Sequence, residues 1–175
     1  MLIDPTSKVR QIEELKVLVR QHQKSGRKVV FANGCFDLIH VGHIRYLESA
    51  KALGDILVLG VNGDASVRAL KGKGRPIQSE SDRAEILSSL ECVDYVLMFE
   101  AVTADGILQE LRPDIHAKGT DYTEETVPER ATVLSYGGRV AIAGDSKAHS
   151  TRDIIDLILS KCSIPPDSDE IVDPT

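Results

Sequence analysis

Apolar residues near the start of the chain recur with the spacing of one helix face. They lie three or four positions apart, at Val9, Ile12, Leu15 and Val19. This period predicts a helix over residues 5–24. The next apolar stretch, residues 28–32, is short and stops at Asn33-Gly34, which is a turn signal. It therefore predicts a buried strand.

The same two patterns alternate along the rest of the chain. Short apolar runs predict four further strands, at residues 55–61, 95–99, 114–118 and 139–143. Helical spacing predicts five further helices, at residues 41–54, 79–90, 103–111, 128–136 and 150–159. This alternation predicts an α/β fold with a doubly wound, five-stranded parallel sheet of the Rossmann-like kind. Such sheets bind ligands at the carboxyl ends of their strands, where the strand order reverses.

Length and composition fit one globular domain with a helix before it and a tail after it. The 175 residues are 42% hydrophobic and 27% charged, which is enough apolar sequence for a buried core. We assign residues 1–26 to an N-terminal helix, 27–160 to the main domain and 161–175 to an acidic, Pro-rich, disordered tail. The helix either packs on the domain or pairs with a second subunit.

Charge, apolar runs and cysteines argue against several classes of protein. The net charge of −6 argues against a general nucleic-acid binder, which needs a basic surface. No apolar run approaches the roughly 20 residues that cross a bilayer, and the N-terminus lacks the pattern of a secretion signal. The three cysteines are widely spaced without a C-x-x-C pair, so they indicate neither a disulfide framework nor a zinc ribbon. We therefore expect a cytoplasmic protein without a membrane partner.

The strongest candidate site is the turn between the first strand and the next helix. A helix that begins near Val41 exposes backbone N–H groups and a partial positive charge, and both favour phosphate. Gly34 and Gly42 allow a ligand to approach the backbone closely. His40 and His43 are three positions apart and share one face of a helical turn. Their imidazoles are suited to stabilising charge on a phosphoryl oxygen.

Two other interpretations of the histidine pair are open. In one, a histidine caps the helix and the other is exposed; in the second, both bind a metal ion, as in helical zinc motifs. No carboxylate or cysteine stands beside the pair as it does in those motifs. The strand-to-helix position and the two glycines favour phosphate chemistry. Cys35, in the same turn, is most simply a small packed residue.

These residues also resemble a known family. Gly34-x-Phe36-Asp37-x-x-His40-x-Gly42-His43 is similar to the signature of the cytidylyltransferase-like nucleotidyltransferases. The likeness continues through Asn33–Asp37, Val61–Ser66, Leu70–Gly72 with Arg75-Pro76, and Lys118–Tyr122. Together these segments resemble the heptose 1-phosphate adenylyltransferases. In many bacteria that domain follows a sugar kinase, and the absence of a kinase domain here predicts the stand-alone form.

The resemblance implies a role for each matching residue. The implied catalytic residues are His40, His43 and Lys118. Contacts with the nucleotide are implied for Asn33, Gly34, Cys35, Phe36, Gly42, Arg83, Lys118, Gly119, Ser150 and Thr151. Further substrate contacts are implied for Asp37, Arg45, Asn62, Asp64, Lys71, Arg75, Asp121 and Tyr122. Of these, Arg45 is expected to reach the sugar phosphate, while Lys71 and Arg75 are expected to hold the leaving pyrophosphate. The chain departs from the family pattern at Arg152, where a threonine is usual, and at His149, where a small or apolar residue is usual.

Plainer interpretations exist for the residues in the middle of the chain. Asp64 either contacts a substrate or caps a helix that begins near Ala65. Lys71 and Arg75 lie in a short basic segment that we expect to be mobile, and it either is solvated or closes over a triphosphate. Arg83 lies in the first turns of a helix, where a cation opposes the helix dipole. It therefore either meets an anionic ligand or forms an exposed salt bridge.

Two sites later in the chain have similar alternatives. Gly119 and Asp121 either line the pocket or form a plain turn. Ser150 and Asp153 have the spacing of a capping box, which needs no ligand, although the same backbone N–H groups can bind phosphate.

The preferred hypothesis is transfer of a nucleotidyl group from ATP to a sugar 1-phosphate, which gives ADP-heptose and pyrophosphate. Mg²⁺ is the expected cofactor and bridges the phosphates, and the expected partners are a nucleoside triphosphate and a sugar 1-phosphate. The resemblance also implies a homodimer. One alternative is CTP-dependent transfer to glycerol 3-phosphate or another phospho-alcohol. The other is a nucleotide-binding module without catalysis.

Overall fold

A five-stranded parallel sheet forms the centre of the fold in the computed structural model, which describes residues 5–145 and 149–162. The strands are β1 (Val29–Gly34), β2 (Ile56–Asn62), β3 (Tyr95–Phe99), β4 (Ile115–Gly119) and β5 (Arg139–Ala143). Their order in the sheet is β3-β2-β1-β4-β5, and every neighbouring pair is parallel. The predicted fold class is confirmed. β3 and β5 have the predicted bounds, and the other strands are shifted by one or two residues.

Helices connect the strands and cover the sheet. They are α1 (Ile12–Lys24), α2 (Val41–Lys51), α3 (Asp64–Lys71), α4 (Glu80–Ser88), α5 (Asp105–Leu111), α6 (Arg130–Ser135) and α7 (Thr151–Lys161). Ser79 caps α4, because its Oγ accepts a hydrogen bond from the Asp82 N–H at 3.2 Å. All residues of the predicted tail beyond 162 lie outside the described residues.

The two faces of the sheet carry separate apolar clusters, and alternate residues of β1 contribute to each. Val30 and Ala32 pack in the cluster that contains Leu47 of α2. Val29 and Phe31 pack in the opposite cluster, which includes residues of α1 and α5. Because successive side chains of a strand point to opposite faces, a sheet covered on both sides needs a continuous apolar run. The sequence of β1 has that run.

The first helix begins later than its apolar period predicts. Residues Pro5–Lys8 form a short 3₁₀ turn, and Val9 then makes a parallel bridge to Val96 beside β3. The α-helix starts at Ile12 because the Gln11 N–H donates to Glu14 Oε2 at 3.0 Å and closes its first turn. The predicted helix over residues 5–24 is therefore wrong in its first part. Its apolar face packs on the sheet, with Leu15 and Val19 fully buried.

The point where strand order reverses lies between β1 and β4. β1 pairs with β2 on one side and with β4 on the other, so the first three strands are added towards one edge of the sheet and the last two towards the other edge. A crevice opens at the carboxyl ends of such strands, and it is the usual ligand site of this architecture. Among the described residues, no helix is both long enough and apolar enough to span a bilayer.

Candidate active site

A cleft of about 800 Å³ lies at the carboxyl ends of β1, β2, β4 and β5. It brings together all but three of the predicted site residues. Those that line it are Asn33, Gly34, Cys35, Phe36, Asp37, His40, Gly42, His43, Asn62, Lys71, Arg75, Lys118, Gly119, Asp121, Tyr122, Ser150 and Thr151. The three outside its lining are Arg45, Asp64 and Arg83.

The turn after β1 stacks the two histidines against each other. His40 occupies the N-cap position of α2, and its ring centroid lies 3.7 Å from that of His43. A side chain at position 42 would force the His40 ring to shift, because a Cβ there would lie 3.1 Å from that ring. The rings of His43 and Phe36 also meet in a T-shaped contact, with centroids 5.2 Å apart, and the backbone φ of Phe36 is +48°. Gly42 therefore makes room for an imidazole, and the predicted close approach of a ligand to its backbone stays a prediction.

The environment of the pair keeps both rings neutral at pH 7. Burial, followed by the nearby His40, lowers the pKa of His43 to about 4. Burial and the nearby His149 also lower the pKa of His40. The side chain of His40 makes no capping hydrogen bond, and neither histidine is exposed. The interpretation of one capping and one exposed histidine is therefore wrong, and the pair is a set of neutral N–H donors beside a helix N-terminus.

Asp37 anchors the segment that follows α3. Its carboxylate accepts hydrogen bonds from the backbone N–H groups of Ile77 and Gln78, at 2.8 and 3.0 Å, and from Nε of Arg75. Burial pulls its pKa upward, but these three donors outweigh burial and the pKa is lowered. Lys71 is the last residue of α3 and so lies in a helix, while the mobility of the residues that follow it stays a prediction. The buried carboxylate positions Arg75 at the cleft.

Arg83 is a fully buried clamp beneath the cleft. Its guanidinium donates to the carbonyl oxygens of Cys35, Asn62 and Gln78, at 2.6, 2.7 and 3.2 Å, and to Asp64 Oδ1 at 2.8 Å. The exposed salt bridge considered for Arg83 is wrong, because the side chain is 0% exposed. These bonds tie the turn after β1 to the end of β2.

The hydrogen bond from Arg83 also explains the position of the Asp64 side chain. Gly63 is the N-cap of α3, so the interpretation of Asp64 as the cap is wrong. Asp64 is the first residue of the helix and its carboxylate is held by Arg83. Arg83 and Asp64 lie behind the cleft wall, and their predicted contacts with the substrates stay predictions that this placement does not favour.

A chain of buried polar groups underlies the other side of the cleft. Asn33 Oδ1 lies 3.1 Å from His116 Nε2 and 3.2 Å from Lys118 Nζ. Lys118 also donates to Glu129 Oε1 at 3.3 Å, and its ammonium lies 5.4 Å from the centre of the Tyr122 ring. These contacts bring Asn33, Lys118 and Tyr122 together at the strand ends, as predicted. Glu129, which holds Lys118, was not predicted, because no local pattern links it to the end of β4.

The amino end of α7 lines the cleft beside the turn that follows β1. Ser150 Oγ accepts the Asp153 N–H at 3.1 Å, which confirms the predicted cap, and Thr151 Oγ1 donates to Leu38 O at 3.3 Å. His149 and Arg152, the two departures from the family pattern, both line the cleft. Their side chains add basic groups where the resemblance implies phosphates.

Arg45 lies at the rim, where Asp145 holds it. Its Nη1 donates to Asp145 Oδ2 at 2.7 Å, and the Asp145 carbonyl accepts a hydrogen bond from Thr120 at 2.8 Å. The predicted contact of Arg45 with the sugar phosphate would have to replace this ion pair. Asp145 and Thr120 line the cleft but were not predicted. Both follow the ends of strands, so the rule that ligands meet carboxyl ends is the signal that could have found them.

The family to which these motifs belong is shown by comparison with known proteins. Residues 31–157 match the family model described as cytidylyltransferase-like. Over 155 residues, the chain is 50% identical to the "Bifunctional protein HldE" of Syntrophotalea carbinolica. The match covers 89% of this chain and 32% of that protein, so the chain spans about a third of the length of this relative.

Two solved structures share the fold. One is the lipopolysaccharide core biosynthesis protein from Thermoplasma volcanium GSS1, with a TM-score of 0.58 and 32% identity, covering 67% of this chain and 94% of that one. The other is the pantoate-beta-alanine ligase from Francisella tularensis, with a TM-score of 0.57 and coverage of 84% and 72% respectively. Its 13% identity supports the fold alone. The chain therefore belongs to the cytidylyltransferase-like family and is a nucleotidyltransferase.

Proposed function

We propose that this chain transfers the adenylyl group of ATP to a sugar 1-phosphate, giving ADP-sugar and pyrophosphate. The stacked, neutral His40–His43 pair at the amino end of α2 is the observation that carries the proposal. It lies in the same cleft as Arg75 and Lys118. Neutral N–H donors and fixed cations around one polyanion are the elements of phosphoryl-transfer catalysis.

The sugar is proposed to be D-glycero-D-manno-heptose 1-phosphate. The support is the set of motifs at Lys71-Gly72, Arg75-Pro76 and Lys118-Gly119, which resemble the heptose branch of the family. The similarity to a protein named HldE and to a lipopolysaccharide core biosynthesis protein agrees with that branch. The stand-alone form stays a prediction.

The reaction needs positioning more than acid–base chemistry. A phosphate oxygen of the sugar 1-phosphate attacks the α-phosphorus of ATP, a new P–O bond forms, and the bond to the β-phosphate oxygen breaks as pyrophosphate leaves. The attacking phosphate is already ionised at pH 7, so no strong general base is required. His40 and His43 stabilise charge on the α- and β-phosphates, while Arg75, Lys71 and the amino end of α7 hold the leaving pyrophosphate.

Mg²⁺ is proposed to enter bound to the triphosphate. Within residues 5–145 and 149–162, no three histidine, cysteine, aspartate or glutamate side chains converge as a metal site. Three of the carboxylates that line the cleft, Asp37, Glu129 and Asp145, are each engaged by a cation of the protein. This donor set fits an ion that takes most of its ligands from phosphates and water, and such an ion would neutralise charge on the nucleotide.

The direct test is pyrophosphate release by the purified chain with Mg²⁺. Each of the four nucleoside triphosphates is paired with heptose 1-phosphate, glucose 1-phosphate and glycerol 3-phosphate, and the double variant H40A/H43A controls for contaminating enzymes. Turnover specific to ATP and heptose 1-phosphate supports the proposal. Turnover with CTP and glycerol 3-phosphate overturns the substrate assignment, and nucleotide binding without turnover on any acceptor overturns catalysis.

Two further expectations belong to the same proposal. The resemblance implies a homodimer, and sedimentation equilibrium of the purified chain tests it. The enzyme is also proposed to act in the cytoplasm, where nucleoside triphosphates are available, and fractionation of cells that express the full protein tests that location.

A further inference from the structure

His116 is a histidine in the core that the mechanism above does not use. It is the second residue of β4, is 0% exposed, and packs against Phe31 with ring centroids 5.8 Å apart. Its Nε2 lies 3.1 Å from Asn33 Oδ1, while its Nδ1 is buried without a partner among the described residues. An imidazole with one orphaned nitrogen is an unfavourable choice for a core position. Its single polar contact therefore needs an explanation.

The contacts of Asn33 fix which end of its carboxamide is the oxygen. The Lys118 ammonium has three donors and no acceptor, so the atom 3.2 Å from Lys118 Nζ must be the acceptor Oδ1. The atom that faces His116 is the same oxygen, so His116 Nε2 carries a proton and donates. Burial and the Lys118 charge hold the pKa of His116 at about 3, so the ring has only this one N–H near pH 7.

The other end of the carboxamide is left for a ligand. Asn33 Nδ2 bonds no residue in the described part of the chain and is not among the buried atoms without a partner. Asn33 lines the cleft at the carboxyl end of β1, beside the turn that carries the histidine pair. Its two N–H groups are therefore unused donors at the site of phosphate chemistry.

We propose that His116 is a positioning residue that locks the Asn33 carboxamide with its NH₂ group toward an oxygen atom of the bound substrate. Without His116, Asn33 Oδ1 would keep one side-chain donor, Lys118, whose ammonium also bonds Glu129. His116 supplies the second donor, and two donors on one oxygen prevent the amide from rotating or flipping. A neutral imidazole suits this position because a second cation beside Lys118 would be repelled. The inference depends on the proposed function only for the identity of the substrate.

The first test compares variants that remove or keep the donor. H116L removes it, H116Q keeps an N–H that reaches toward Asn33, and H22L is the matched control. His22 makes a 3.0 Å imidazole hydrogen bond to Tyr95 far from the cleft. We expect H116L to lower kcat/KM about tenfold, the effect of one misplaced hydrogen bond, while H116Q recovers most of it and H22L changes nothing. Equal losses in H116L and H116Q would overturn the proposal.

A double-mutant cycle separates positioning from a general packing defect. If His116 acts through Asn33, the H116L change has no further effect on kcat/KM once N33A has removed the carboxamide. A loss of about tenfold in both backgrounds would show that His116 acts on the fold instead, and it would overturn the proposal. Thermal unfolding of all four proteins accompanies the cycle.

The final test needs no substrate and so stands apart from the proposed function. Nitrogen NMR of the histidine rings should show His116 protonated at Nε2 and unprotonated at Nδ1, without change between about pH 5 and about pH 8. The side-chain NH₂ signals of Asn33 should shift in H116L and stay in place in H22L. A His116 ring protonated at Nδ1, or Asn33 NH₂ signals that do not shift in H116L, would overturn the positioning role even if adenylyl transfer is established. If instead no acceptor is turned over but these signals are as expected, the proposed function fails and the positioning role stands.

Discussion

Burial and close stacking make the His40–His43 pair a set of neutral donors. Burial, and after it the His40 ring stacked 3.7 Å away, lowers the pKa of His43 to about 4. Neutral imidazoles can donate hydrogen bonds to phosphate oxygens without first losing or gaining a proton. The pair therefore suits a reaction whose acceptor is already ionised.

Replacing His43 tests that role directly. H43A should lower kcat by about 10²–10³-fold, the usual effect of removing one transition-state donor, while the protein still folds. His22→Ala is the control, because this histidine bonds Tyr95 outside the cleft. Pyrophosphate release and thermal unfolding are the measurements. Normal turnover in H43A would remove the imidazole from the mechanism.

Asp37 should act through Arg75. In D37N the shape is kept, but an amide NH₂ group faces either Arg75 Nε or the backbone N–H groups of Ile77 and Gln78, so at least one of these donors loses its acceptor. We expect the free energy of unfolding to fall by about 1.5–3 kcal/mol, the value for hydrogen bonds to a charged group. We also expect kcat/KM to fall, with little further loss when R75A is added.

The control for D37N is a carboxylate in an exposed ion pair. Glu13 meets Lys16 on the surface of α1, so E13Q should leave stability and turnover unchanged. Urea unfolding and a kinetic double-mutant cycle make the comparison. Fully additive losses in D37N and R75A would contradict the idea that the carboxylate positions the guanidinium.

At the element scale, β2 is shaped around one side chain of its neighbour. Gly60 lies within β2, and a Cβ there would come 2.6 Å from Phe31 Cζ. Phe31 is fully buried on β1 and has no room to move away. G60A should therefore destabilise the fold by about 1–3 kcal/mol through overpacking.

Gly106 provides the matched control for this prediction. It lies in α5 and is exposed, and an added Cβ would meet nothing within 4 Å. G106A should therefore be neutral or stabilise by up to about 1 kcal/mol, because alanine restricts the unfolded chain. Urea unfolding measures both variants. A G60A protein as stable as G106A would show that the sheet can yield to the extra methyl group.

The sequence predicted the elements well where local pattern decides them. β3 and β5 were found with their observed bounds because each is a short apolar run between turns. The start of α1 was missed because Val9 takes its partner from Val96, far along the chain. His116 gave no signal for the same reason, since one polar residue in an apolar strand says nothing about Asn33 on the neighbouring strand. Contacts of this kind depend on register, which a single sequence does not state.

At the scale of the whole molecule, buried histidines occur both in the cleft and in the core. His43 lines the cleft and also packs on Phe36, while His116 lies in the sheet beneath Asn33. Both rings are neutral in the folded protein, and both would bind a proton near pH 6.5 in the unfolded chain. Conditions that charge these rings therefore favour unfolding.

The stability of the whole protein should consequently fall as the medium becomes acidic. Below about pH 6.5 both histidines bind a proton in the unfolded chain. In the folded chain they stay neutral until the pH approaches their pKa values, which are about 4 for His43 and about 3 for His116. Each such proton removes about 1.4 kcal/mol of unfolding free energy per pH unit. Urea unfolding between about pH 7.5 and about pH 4.5 should show this loss in the unaltered protein and a shallower loss in H43N/H116Q, which lacks both rings. Carboxylates contribute equally to both proteins, so identical slopes would contradict the neutral state of the buried histidines.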